Sequence, residues 1–317
     1  MKWKSVYVNQ SVHPGEQPIR VLVQNMIYTF ENVYKEFRME AKTFYDEFGL
    51  ERGLPYILGL NPLISDDDDL FPYIESDESQ AKRIYLSETF FSYLWGVVYC
   101  LFTDFYELMF IPAKTHTYQL IRLERMHRAH QLFQYALSLR YAYTPWKKTE
   151  LPNPELFPES ETEYIGMVNH AFTRATTLVL CHELAHAQLR HLDTDREANE
   201  LEDETEADYR AFDMILRGIK NDSEKLNAVI GTIGGLCALL FFSETTEAEK
   251  HPDTDERIFS FMKRLELQDH DALWGIPCIS YRLWDAVYDI GFDYGNRTGT
   301  YRELFESIYH QERRRRE

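Results

Sequence analysis

Apolar side chains recur at helical spacing along most of the chain. From Leu86 to Met109 aromatic and aliphatic residues follow this spacing, as in "SETFFSYLWGVVYCLFTDFYELM", and a second helix is expected from Thr117 to Tyr141. Both read as core elements. Further on, Glu163 to His191 reads as one long helix, and Glu200 to Gly218 as another that ends at a glycine suited to close it. The longest apolar run, "AVIGTIGGLCALLFF" from Ala228 to Phe242, is shorter than the roughly 20 residues that cross a bilayer. It reads as a buried core helix.

The pattern is interrupted three times. Near the start, "SVYV" suggests a short strand before apolar-periodic segments from Val21 to Phe48. Residues 53–79 are rich in Gly, Pro and Asp and read as a long surface connection; Asp66 to Asp69 lack the alternating ligands, central Gly and distal Glu of an EF-hand. The stretch "TPWKKTELPNPELFPES", residues 144–160, carries four prolines and marks the expected boundary. This divides the chain into a mostly helical region of unassigned role, 1–150, and a second region, 151–317. No internal repeat is present.

Composition narrows the function classes. With 317 residues, 44% of them hydrophobic and 15% aromatic, the chain can bury one large core or two modest ones. Its 52 acidic against 34 basic residues give a formal charge of -18, which repels a phosphate backbone and argues against nucleic acid as a partner. The one basic cluster, Arg313 to Arg316, reads as a solvated or frayed end. Cys100, Cys181, Cys237 and Cys278 are widely spaced, which fits a reduced, cytoplasmic setting better than a disulfide framework. The first residues lack the apolar stretch of a secretory signal, and no membrane role is expected.

Candidate chemistry lies in "TTLVLCHELAHAQLRH", residues 176–191. On a helix, His182 and His186 share a face, so both imidazoles can address one metal ion, with Glu183 on nearly the same side. Two neutral imidazoles on zinc beside an unligated carboxylate is the arrangement of a metallohydrolase. A third ligand is needed. His191 is expected on the opposite face of a continuing helix. In "DETEADYRAFD" Glu204 and Asp208 share a face, which makes Glu204 the preferred third ligand and Asp208 the group that accepts a hydrogen bond from a ligand histidine. Glu206 remains a competitor for the ligand position.

These motifs resemble the gluzincin metallopeptidases: His-Glu-x-x-His, then Glu-x-x-Ala-Asp-x-x-Ala at Glu204, Ala207, Asp208 and Ala211. The segment "HPDTDERI" is similar to the His-Pro-x-x-x-x-Arg element of the HtpX type. The resemblance implies that His251 hydrogen-bonds a developing oxyanion and that Arg257 orients it or helps bind substrate. It implies an α+β, helix-rich fold with a small sheet before an active-site helix, a zinc ion, and a protein or peptide substrate. The specific similarity covers roughly residues 170–265. In length and motif placement the chain looks like the Lit-like phage-exclusion peptidases, which suggests a role in phage defence.

Two other readings compete. Glu183-x-x-His186 and Glu124-x-x-His127 could form a ferritin-like di-iron oxidoreductase site, with Glu88 and Glu163 as further ligands. Alternatively, zinc could stabilise a non-catalytic binding protein. Structural zinc sites, however, fill all four positions with Cys or His, whereas three protein ligands here leave one open. Cys181 beside the motif reads as a buried core cysteine, not a nucleophile.

Overall fold

A serine opens the central helix. Ser87 accepts the amide hydrogen of Phe90 and caps α2 (Glu88–Phe105), whose first turn places Glu88 where the helix dipole favours an anion. That carboxylate is fully buried but receives Arg20 on both oxygens, at 2.7 and 2.6 Å, so the charge is not left alone. Every residue of α2 is buried, which accounts for its being apolar on all sides. The computed structural model describes residues 3–5, 17–39, 71–76, 82–112, 123–141, 143–193, 199–219, 221–248, 251–295 and 299–317. The aspartates at 66–69 lie outside them.

Around α2 pack α3 (Leu123–Ser138), α4 (Thr162–Gln188), α6 (Asp222–Ala238) and α8 (Gly275–Tyr288). Among the described residues the remaining α-helices are α1 (Val23–Glu31), α5 (Glu200–Arg217), α7 (Thr254–Arg264) and α9 (Tyr301–Arg316). The longest apolar run supplies most of α6, which is buried against α4, α2 and α8. Its glycines allow close approach: a Cβ on Gly231 would lie 2.4 Å from Arg174 Cβ and 2.5 Å from the Ala171 carbonyl. Gly218 likewise serves contact, not conformation. Its φ of -74° suits any residue, but a side chain there would collide with the Val33 carbonyl.

Among the described residues, four short strands form two antiparallel pairs. β1 (Trp3–Ser5) pairs with β4 (Leu156–Pro158), and β2 (Tyr73–Ser76) with β3 (Lys82–Tyr85), Ile74 opposite Ile84. The fold is the expected helix-rich α+β arrangement. β2 corrects the reading of 53–79 as surface connection throughout: Ile74 and Ile84 are buried, and the hairpin packs against α4. Of the strand expected at 5–8, Ser5 belongs to β1, and residues 6–8 lie outside the described residues.

The proline-rich stretch is anchored to the core by Trp146, Pro152 to Glu155, Phe157 and Pro158, all buried. Trp146 is buried with its ring 5.6 Å from that of Trp95, and the Trp95 indole N–H donates to Asn169 at 2.9 Å. One hydrophobic cluster thus includes residues on both sides of position 150. The C-terminal arginines are not a frayed end. Arg316 meets Asp253 at 2.9 Å and the buried Asp255 at 3.5 Å, and Arg313 meets Asp253 at 3.0 Å, tying α9 to the start of α7.

Candidate metal centre

His182, Glu183 and His186 lie near the end of α4, all buried. One helical turn separates the histidines, so their Nε2 atoms stand 3.2 Å apart. α5 packs against this end of α4 and delivers Glu204, with Oε2 2.9 Å from His182 Nε2 and Oε1 3.3 Å from His186 Nε2. Asp208, one turn further along α5, accepts the His182 Nδ1 hydrogen at 2.9 Å. The spacing-based set of His182, His186, Glu204 and Asp208 therefore meets in one place.

His251, just before α7, is half-exposed, with Nδ1 2.7 Å from Glu204 Oε2. Arg257 is placed differently from the expectation that it orients His251: Nε donates to Asp208 Oδ2 at 2.6 Å and an Nη to Oδ1 at 2.7 Å. Its position on the first turns of α7 faces it to α5. The Ile74 backbone of β2 hydrogen-bonds the Glu183 carboxylate, a partner that no motif signalled.

His191 departs from the helical expectation. α4 ends at Gln188, and Arg190 takes a left-handed φ of 62°. The Arg190 amide then donates to the Ala187 carbonyl and the His191 amide to that of His186, at 3.2 and 2.9 Å. This is a Schellman closure with arginine in the position that glycine usually takes. The reversal returns His191 to His186, Nδ1 to Nδ1 at 3.0 Å, while Nε2 lies 3.2 Å from Glu206 Oε2. Glu206 is thus directed to His191, and Glu204 to the facing histidines.

The electrostatics follow from this packing. Burial opposes ionisation of Asp208, yet the Arg257 charge and the bond from His182 hold it down to about 2. Burial also opposes charge on His182, but the bonds to Asp208 and Glu204 outweigh it and push its pKa up to about 10. Glu204 stays far below the usual carboxylate range, because its bonds to His182, His186 and His251 exceed the cost of burial. Glu183 is pushed up to about 7 by burial, with the His182 charge opposing.

The residues of the competing readings are not gathered here. Glu124, His127 and Glu163 are exposed, and Glu88 is engaged by Arg20. The Cys181 thiol is fully buried, and burial pushes its pKa up, so it offers no thiolate.

No curated protein and no solved structure matches the chain. The family model of Peptidase U49 matches residues 84–277, about three-fifths of the sequence, from β3 into α8. That span holds His182, Glu183, His186, Glu204, Asp208, His251 and Arg257, and it crosses the proline-rich stretch. The chain belongs to the Peptidase U49 family and is a peptidase.

Proposed function

We propose that this peptidase is a zinc-dependent endopeptidase of the gluzincin type, with His182, His186 and Glu204 as metal ligands. One observation carries the reading. With its Nδ1 hydrogen given to Asp208, His182 turns Nε2 toward the Glu204 carboxylate, 2.9 Å away, and toward His186 Nε2. That contact needs a positive charge: a proton on His182 supplies it without metal, in line with the raised His182 pKa, and a metal ion that displaces the proton would supply it in turn. Bond lengths of about 2.0–2.1 Å at tetrahedral angles separate zinc donors by about 3.3 Å, close to the 2.9, 3.2 and 3.3 Å found. The set fits zinc.

When bound there, zinc lowers the pKa of a water and polarises the scissile carbonyl. Glu183 takes the proton of the attacking water and later gives it to the leaving amine. Burial has raised its basicity for this task, against a smaller opposing bond from the Ile74 backbone. His251, half-exposed, would donate to the developing oxyanion the Nδ1 hydrogen that Glu204 accepts in this structure. Asp208, held by Arg257, keeps the His182 ring in one tautomer.

Strand β2 adds a substrate path. It has β3 on one side, and the Ile74 bond to Glu183 marks its other edge as facing the site. An extended polypeptide along that edge would bring a backbone carbonyl beside Glu183. Similarity in layout to Lit-like peptidases extends the proposal to a cytoplasmic enzyme that cuts a protein in phage defence.

The test is metal content by plasma mass spectrometry, for the native protein and His182→Ala. About one zinc per chain, lost in the variant, supports the reading. Two irons per chain, or no metal after zinc is supplied, would overturn it.

A further inference from the structure

We propose that His191 and Glu206 form a positioning relay for His186, the counterpart of the Asp208 and Arg257 pair behind His182. The inference rests on the reading of His186 as a metal ligand. His191 has a side chain only 2% exposed, and the Schellman closure of α4 anchors its backbone to His186. Its ring is therefore held at both ends.

Proton positions follow from the outer carboxylate inward. A carboxylate accepts, so the hydrogen between His191 Nε2 and Glu206 Oε2, 3.2 Å apart, resides on nitrogen. A neutral His191 then presents a bare Nδ1. The hydrogen in its 3.0 Å contact with His186 Nδ1 belongs to His186, which donates it. His186 Nε2 is left bare, on the side that faces His182 and Glu204. Asp203, whose Oδ1 lies 3.9 Å from His191 Nε2, adds a second negative charge at the outer end. The two ligand histidines are thus set by different devices. For His182 the partner is a carboxylate locked by arginine; for His186 it is an imidazole locked by a glutamate.

A relay of this kind raises ligand basicity and fixes ring orientation, and its loss weakens metal binding by about 10- to 100-fold. Zinc affinity is measured by competition with a chromophoric chelator for the native protein, His191→Phe and His191→Asn, together with the thermal midpoint of each metal-free protein. Phenylalanine keeps the ring volume but accepts nothing; the asparagine amide oxygen can take the place of Nδ1 as acceptor. We expect zinc binding to weaken in His191→Phe by about 10- to 100-fold and to recover largely in His191→Asn. A role in packing alone would lower both midpoints and leave the two zinc affinities alike. Native affinity in His191→Phe, or equal losses in both variants, would overturn the relay while leaving the zinc reading intact. A second zinc in the native protein, absent from both variants, would instead make His191 a ligand and also overturn it. Native protein that takes up no zinc would overturn both.

Discussion

Arg257 and Asp208, 49 positions apart, meet through two parallel hydrogen bonds, Nε to Oδ2 at 2.6 Å and Nη to Oδ1 at 2.7 Å, with Asp208 buried and Arg257 partly buried. The same Oδ1 accepts from His182 Nδ1. One carboxylate therefore joins α4, α5 and α7, and the arginine decides whether it can remain charged. Replacing Arg257 by Met leaves Asp208 buried beside a single imidazole. We expect a loss of about 3–5 kcal/mol in chemical denaturation, since breaking one side of a buried pair strands the other charge. Asp208→Asn together with Arg257→Met removes both charges and should recover part of that loss. Equal stability of Arg257→Met and the native protein would show that the pair does not hold the site.

Glu183, unlike Glu204, is not turned toward the two histidine Nε2 atoms; the Ile74 backbone faces it. Its replacement by Gln keeps volume and burial but cannot take a proton. We expect zinc content to remain near that of the native protein while peptide hydrolysis falls by at least about 100-fold, the lower end for a general base. Activity close to native in Glu183→Gln would remove Glu183 from the mechanism.

Much of the centre was legible because its residues obey a local period. His182 to His186 and Glu204 to Asp208 each span one helical turn, and a turn places both members on one face wherever the helix goes. The apolar run of α6 was readable for the same reason, its side chains being buried on nearly all sides. What escaped depends on tertiary contact or on an uncommon backbone. Ile74 reaches Glu183 from a strand inside a Gly-, Pro- and Asp-rich stretch whose composition reads as loop. By resemblance Arg257 reads as a partner of His251 or of substrate, but packing of α7 against α5 gives it Asp208. The Arg20 to Glu88 pair spans 68 positions and leaves no local trace. His191 escaped because nothing in "QLRH" announces that Arg190 will adopt a left-handed φ.

That left-handed arginine makes its own prediction. A non-glycine residue at φ 62° crowds Cβ against its following carbonyl, at a cost of roughly 1–2 kcal/mol. Arg190→Gly relieves the crowding but loosens the unfolded chain, so its thermal midpoint should equal or slightly exceed the native one. Arg190→Val, branched at Cβ, should lose roughly 1–2 kcal/mol and also weaken zinc binding, because the closure that returns His191 to His186 is strained. If valine is tolerated as well as glycine in both measurements, the turn is not what places His191.

A second histidine pair, away from the centre, makes stability depend on pH. His130 on α3 lies 3.0 and 3.2 Å from the two oxygens of Asp104, a buried carboxylate on α2. That bond raises the His130 pKa above its ordinary 6.5, burial opposing only in part. A raised folded-state pKa means that the folded protein binds the proton more tightly than the unfolded chain does. The stabilisation is therefore complete below 6.5 and is lost as pH climbs through the folded value. Because His130 is about half-exposed, solvent screens the pair and its effect is modest. Urea denaturation of the native protein and His130→Gln across this range should show the largest difference on the acid side, shrinking toward alkaline pH. Added salt should narrow the acid-side gap, since screening weakens a half-exposed pair. A difference that stays constant with pH would mean that His130 contributes through packing and a neutral hydrogen bond alone.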